Sequence, residues 1–151
     1  MDNGSRNASY AKNQKLFRSV RTALRKRIPT ANELAYDYSS FVVISYSATD
    51  HTMGSVLSIA GRPDGVQLYF SQGPELPDPK KLLMGAAKMV RFIRVESLKD
   101  LANPDVNALM DAAIDFAKIP LPAEGSGKLI IKTNKMGAAK KKSRPKAKKK
   151  K

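Results

Sequence analysis

From Gly137 to Lys151 the chain contains only Gly, Ala, Ser, Pro, Lys and Arg, with nine cations and no acid. No side chain there can pack an apolar core, so folding is confined to the residues before it, and this end is expected to be a disordered basic tail. The 151 residues hold 28 Lys and Arg against 13 Asp and Glu, a net charge of +15. Residues 1 to 28 carry eight bases and one acid, whereas residues 29 to 136 carry eleven bases and twelve acids. The sequence thus describes a nearly neutral body with basic ends, long enough for one domain of ordinary size.

The absence of cysteine excludes disulfides, thiolate metal sites and Cys nucleophiles, and the single histidine, His51, excludes multi-His metal sites. His51 itself falls beside Asp50 in a polar turn and reads as an exposed loop residue. No stretch reaches the ~18 apolar residues of a membrane span, and the polar start lacks the apolar run of a secretory signal. The expectation is a cytoplasmic protein with no membrane partner and no cofactor, and no catalytic constellation is identifiable, which argues for a non-enzymatic role.

Residues 1–11 are small and polar and read as a flexible leader. Leu16, Phe17, Val20, Ala23, Leu24 and Ile28 then recur at helical spacing, predicting an amphipathic helix from about Asn13 to Ile28 that Pro29 stops. Its other side carries Lys15, Arg18, Arg21, Arg25 and Lys26, either a solvated face or a polyanion contact. Residues 29–40 read as a connection, and Phe41 to about Ser47 as a central strand buried on both faces. Ser55 to Ala60 and Val66 to Phe70 form a hairpin around Arg62-Pro63-Asp64-Gly65, its return strand alternating apolar and polar. A rigid loop with three prolines, Gly73 to Pro79, leads to a short helical turn at Lys80–Met84 and a strand at Lys88–Val95. Asn103, Pro104 and Asp105 open a helix whose stripe runs Val106, Leu109, Met110, Ala113, Ile114 and Ala117, ending at Pro120. Leu129-Ile130-Ile131 is a candidate last strand. The predicted fold class is α+β, an antiparallel sheet of four or five strands flanked by an N-terminal and a C-terminal helix, with the domain at 12–134 and the disordered Lys-rich tail at 135–151.

From Val20 to Ala117 the chain resembles the YdhG-like family of small bacterial α+β domains of unknown function. The resemblance is carried by Glu33-Leu34, Tyr36-Asp37-Tyr38, Val66-Gln67-Leu68-Tyr69-Phe70, Leu76-Pro77-Asp78-Pro79, Leu82-Leu83-Met84-Gly85, Lys88-Met89-Val90-Arg91 and Leu101 to Leu109. It implies a single α+β domain and no assigned reaction, and some relatives are described as frataxin-like intracellular iron chaperones.

Three candidate sites follow. Lys140, Lys141, Lys142, Arg144, Lys146, Lys148, Lys149, Lys150 and Lys151 form a tail that can track the phosphate backbone of DNA or RNA without reading sequence, or serve as a solubility tail or a nuclear address. Tyr36, Tyr69, Lys88 and Arg91 are candidates for a small anion-accepting pocket at the proline-rich loop, an edge strand protected by charge being the alternative. Glu96, Asp100, Asp105, Asp111 and Asp115 supply oxygen ligands for the alternative iron-binding role, or are ordinary solvated carboxylates. Gly125-Ser126-Gly127-Lys128 looks like the end of a phosphate loop but lacks the upstream Gly and the following Ser or Thr, and reads as a linker.

Overall fold

The computed structural model describes residues 3–38, 41–87 and 89–132, with side chains from Lys12 onward. The expected tail and Lys88 lie outside the described residues. The elements run α1 (Asn3–Arg27), β1 (Asn32–Tyr38), β2 (Phe41–Ser47), β3 (Ser55–Arg62), β4 (Gly65–Ser71), β5 (Val90–Val95), α2 (Leu98–Ala102), α3 (Pro104–Asp115) and β6 (Leu129–Ile131). The sheet order is β5-β4-β3-β2-β1-β6. Every neighbouring pair is antiparallel except β1 with β6, so the α+β class holds while the sheet is mixed and six-stranded.

Alternation along β4 sets the two faces. Val66, Leu68 and Phe70 are buried, and the register places Val95 and Ile93 of β5, then Ile59 and Leu57 of β3, then Ile44 and Tyr46 of β2 on the same side. Val20, Leu24 and Ile28 of α1 and Val106, Leu109, Met110 and Ala113 of α3 close that side into one core. Each such buried side chain contributes about 1.5–3 kcal/mol relative to exposure. Gly61 of β3 makes room for α1, because a Cβ there would lie 2.8 Å from the Phe17 ring. Asn103 caps α3 by accepting the Asp105 N–H at 2.8 Å, as its position before Pro104 predicts.

Several expectations are corrected. Helix α1 begins at Asn3, within the expected leader, because a helix once nucleated gains one hydrogen bond per added residue even where no apolar stripe marks it. Residues 32–38 are strand β1 rather than a connection: buried Leu34 and Glu33 break the usual apolar rhythm, since Glu33 is held inside by an ion pair. β2 is interior to the sheet, but Phe41 and Val43 are half-buried because they face away from the helices, and Val42 because α1 and α3 pack on β3 and β4 rather than over it. Helix α2 was not anticipated; Ser97 and Asp100 form a capping box that starts it.

Lys80–Met84 is not helical. Its path is fixed by Asp78, whose carboxylate accepts the Leu82 and Leu83 N–H groups, each at 2.8 Å. Met84 then exchanges backbone hydrogen bonds with Phe92 at 2.8 and 3.0 Å, covering the outer edge of β5. Charge-assisted bonds of this kind are the stronger ones, so Asp78→Ala is expected to cost about 1.5 kcal/mol, read as a lower urea midpoint. Asp78→Asn, which keeps an acceptor, is expected to cost about half as much.

Candidate nucleic-acid interface

With the helices on one side, the other side of the sheet carries side chains chosen for something besides the core. Opposite-facing positions are Leu34, Tyr36 and Tyr38 on β1, Phe41, Val43 and Ser45 on β2, Ser58, Ala60 and Arg62 on β3, Gln67 and Tyr69 on β4, and Val90, Phe92 and Arg94 on β5, of which Leu34, Ser45 and Ala60 are buried. Five of the ten aromatic residues in the chain are therefore on the helix-free face. They form two groups. Tyr36 and Tyr38 stack with ring centroids 6.3 Å apart, Tyr38 and Phe41 with centroids 4.7 Å apart, and the Arg62 guanidinium lies 4.2 Å from the Phe41 ring centre. Across the sheet, Tyr69 and Phe92 are 5.2 Å apart. Gln67 joins the two groups, accepting from Arg62 Nε at 3.2 Å and from the Tyr69 hydroxyl at 2.7 Å through one oxygen. Tyr38 remains 39% exposed, the others are half-buried, and burial pushes the Tyr36 phenol above its ordinary pKa. Among the described residues no Asp or Glu occupies a strand position on this face.

At one end of the sheet, a groove of about 670 Å³ runs between α1 and the strands, with Asn13, Phe17, Arg18, Asp37, Arg62 and Ile131 among its walls. Ile131 ends β6, whose parallel pairing with β1 brings Lys132 to donate its N–H to the Ala35 carbonyl at 2.7 Å. Lys132, the last described residue, thus lies beside β1, and Ile131 shares the groove with Arg18 and Tyr38.

On α1, Lys12, Lys15, Arg18, Arg25 and Lys26 are exposed. Arg21, grouped with them by spacing, turns inward instead. Its Nε and second terminal nitrogen meet the two Glu33 oxygens at 2.8 and 2.9 Å, and the Tyr46 hydroxyl donates to Glu33 at 2.8 Å. Arg25 adds a looser contact with Glu33 at 3.5 Å. Burial alone would raise the Glu33 carboxyl, but the hydrogen bonds from Arg21 and Tyr46 and the charges of Arg21 and Arg25 outweigh it and hold the carboxyl below the usual range. Burial and the neighbouring carboxylate push the Tyr46 phenol far up, so it stays neutral and donating.

The expected small-anion pocket is not assembled. Tyr36 and Tyr69 share the helix-free face but sit on β1 and β4, three strand spacings or at least about 14 Å apart. Arg91 is opposite Phe70 in register and donates to the carbonyls of Ala87 and Val90 at the sheet edge. Lys88 lies outside the described residues, as do Lys140, Lys141, Lys142, Arg144, Lys146, Lys148, Lys149, Lys150 and Lys151.

The five carboxylates of the alternative metal site are also dispersed. Asp100 accepts from the Glu96 and Ser97 N–H groups as the α2 cap, Asp105 pairs with Lys80 at 3.3 Å, Asp111 pairs with Arg27 at 2.6 Å, and Asp115 is exposed at the end of α3. Among the described residues no three His, Cys, Asp or Glu come together as a metal site would require. No described helix is long and apolar enough to cross a membrane.

Spacing in the sequence carried a signal for the aromatic face. Tyr36 and Tyr38, and Gln67 and Tyr69, alternate with inward residues, but the grouping needs the register of five strands. Comparison with protein-family models, with curated proteins and with solved structures finds no match to this chain.

Proposed function

We propose that this is a non-enzymatic nucleic-acid-associating protein whose Lys-rich end follows the phosphate backbone, in keeping with a resemblance to YdhG-like domains that implies no assigned reaction. The observation that carries the proposal is the concentration of nine cations and no acid in residues 137 to 151. Neutralising phosphates releases condensed counterions, so affinity falls with salt by about 0.9 logarithmic units per contacted phosphate on duplex DNA. Support comes from the described part of the chain, where Ile131 at the end of β6 shares a groove with Arg18, and Lys12, Lys15, Arg25 and Lys26 of α1 are also exposed. Nothing in the arrangement aims donors at base edges, and the association is sequence-independent.

Fluorescence anisotropy with a mixed-sequence duplex at several salt concentrations tests it, comparing the whole chain with one ending at Met136. Removing the last fifteen residues is expected to weaken binding on the order of tenfold or more at low salt and to flatten the salt dependence. Equal affinity and equal slope for both would refute the role of the tail.

A further inference from the structure

We infer that the helix-free sheet face is a stacking platform for unpaired bases, so that the nucleic acid this protein takes is single-stranded; the inference rests on the phosphate-binding role proposed above and specifies its ligand. A sheet with one covered face ordinarily finishes its other face with polar and β-branched residues. Here that face presents Tyr36, Tyr38, Phe41, Tyr69 and Phe92, with Arg62 interspersed and Arg94 at its edge, paired with Asp64 of the β3–β4 turn at 3.4 Å, and no acidic strand position among the described residues. Tyr38, exposed, and the four half-buried rings, set beside a guanidinium group, match the two needs of single-stranded nucleic acid: a π surface for bases and a cation for the phosphate between them. Any base can stack, so the platform adds affinity without sequence preference.

Two further features fit this ligand. The aromatic groups lie at the two sides of the face, one on β1 and β2 and the other on β4 and β5, with the short side chains of Ser58 and the buried Ala60 between them on β3. Arg62, anchored over Phe41 and bonded to Gln67, stands between the two groups with its orientation already fixed, so little freedom is lost when a phosphate or base meets it. The last described strand, β6, ends beside β1, and the sequence beyond it turns Lys-rich, so the proposed tail contact and the face can serve one strand. A duplex meets the cations equally well but keeps its bases paired and inaccessible to the rings.

The chain has no Trp, and three of its five tyrosines, Tyr36, Tyr38 and Tyr69, lie on the face, so a change in tyrosine emission that is lost in the double Leu variant reports on it. Titrating the full chain with a 20-nucleotide oligothymidylate and with a duplex of equal length is expected to show tyrosine quenching with the single strand alone and roughly fivefold to tenfold tighter binding to it, the worth of about one stacked base. The double variant Tyr38→Leu, Tyr69→Leu should lose that preference while binding duplex as before, with circular dichroism confirming its fold. Tyr69→Phe keeps the ring and should keep the preference. Equal affinity of the full chain for both probes without quenching would overturn the platform while leaving the tail role intact. Strong oligothymidylate binding with quenching that survives removal of residues 137 to 151 would instead support the platform and overturn the tail role. Binding to neither probe would overturn both.

Discussion

Gly127→Ala is expected to lower stability by about 3 kcal/mol, or roughly 6–12 °C in melting temperature for a chain of this size. A Cβ at residue 127 would overlap the Ala31 carbonyl oxygen and crowd the Asn32 nitrogen, both main-chain atoms that cannot rotate away. The close approach exists because three bonds zip this segment to the start of β1. Gly127 N–H donates to Pro29 O at 2.8 Å, Lys128 N–H donates to Asn32 Oδ1 at 2.9 Å, and Glu33 N–H donates to Lys128 O at 2.8 Å. Separating the segments leaves those groups to water and frees the parallel strand β6. Gly125→Ala serves as the contrast. Gly125 has φ +101° but nothing within 4 Å of its missing Cβ, so only backbone strain of about 1 kcal/mol is expected there. Hydrogen exchange should locate the damage, with the Glu33 amide losing protection in Gly127→Ala alone. An unchanged melting temperature would mean that β6 contributes nothing to the fold.

That segment also shows where the sequence stops being legible. Gly125-Ser126-Gly127-Lys128 offers composition but no partner, and although Leu129–Ile131 reads as a strand, its parallel pairing with one nearly a hundred positions earlier leaves no local trace. Locally encoded features were readable: the Asn103–Pro104 start of α3, the Arg62–Gly65 turn, and the alternation of β4. β1 was not, because one of its buried positions is Glu33, which a pattern reading assigns to solvent and which only the long-range pair with Arg21 makes an inward residue. The Arg21 side chain was misassigned to the outer face of α1 for the same reason. The aromatic face is an intermediate case. Each outward ring is visible in its own strand, but which rings are neighbours depends on the register of β1 through β5. Tyr36 and Tyr69 were therefore placed in one pocket with Arg91, when two strands separate the tyrosines and Arg91 belongs to the other parity of β5.

Arg21→Ala is expected to be the most damaging single change among the cations of α1, costing on the order of 3 kcal/mol at pH 7. The Glu33 carboxylate would remain buried with the Tyr46 hydroxyl and the looser Arg25, losing the two-pronged contact that offsets its desolvation. The effect has a definite pH dependence. In the folded protein the Glu33 carboxyl titrates below its ordinary value, whereas in the unfolded chain it titrates at about 4.3. The stabilisation from this pair is therefore complete above that unfolded value and is lost as pH falls through the lower folded one. In Arg21→Ala the balance at Glu33 reverses toward burial, which raises the carboxyl, so protonation relieves the variant at a pH where it still harms the parent protein. Urea midpoints measured from pH 7 to pH 3 should show the difference between the two proteins largest near neutrality and narrowing in acid. Glu33→Gln should lose the acid-side slope while keeping a hydrogen bond to Tyr46, at a cost of about 1–2 kcal/mol. Parallel profiles for parent, Arg21→Ala and Glu33→Gln would show that the pair carries no net charge-dependent stabilisation.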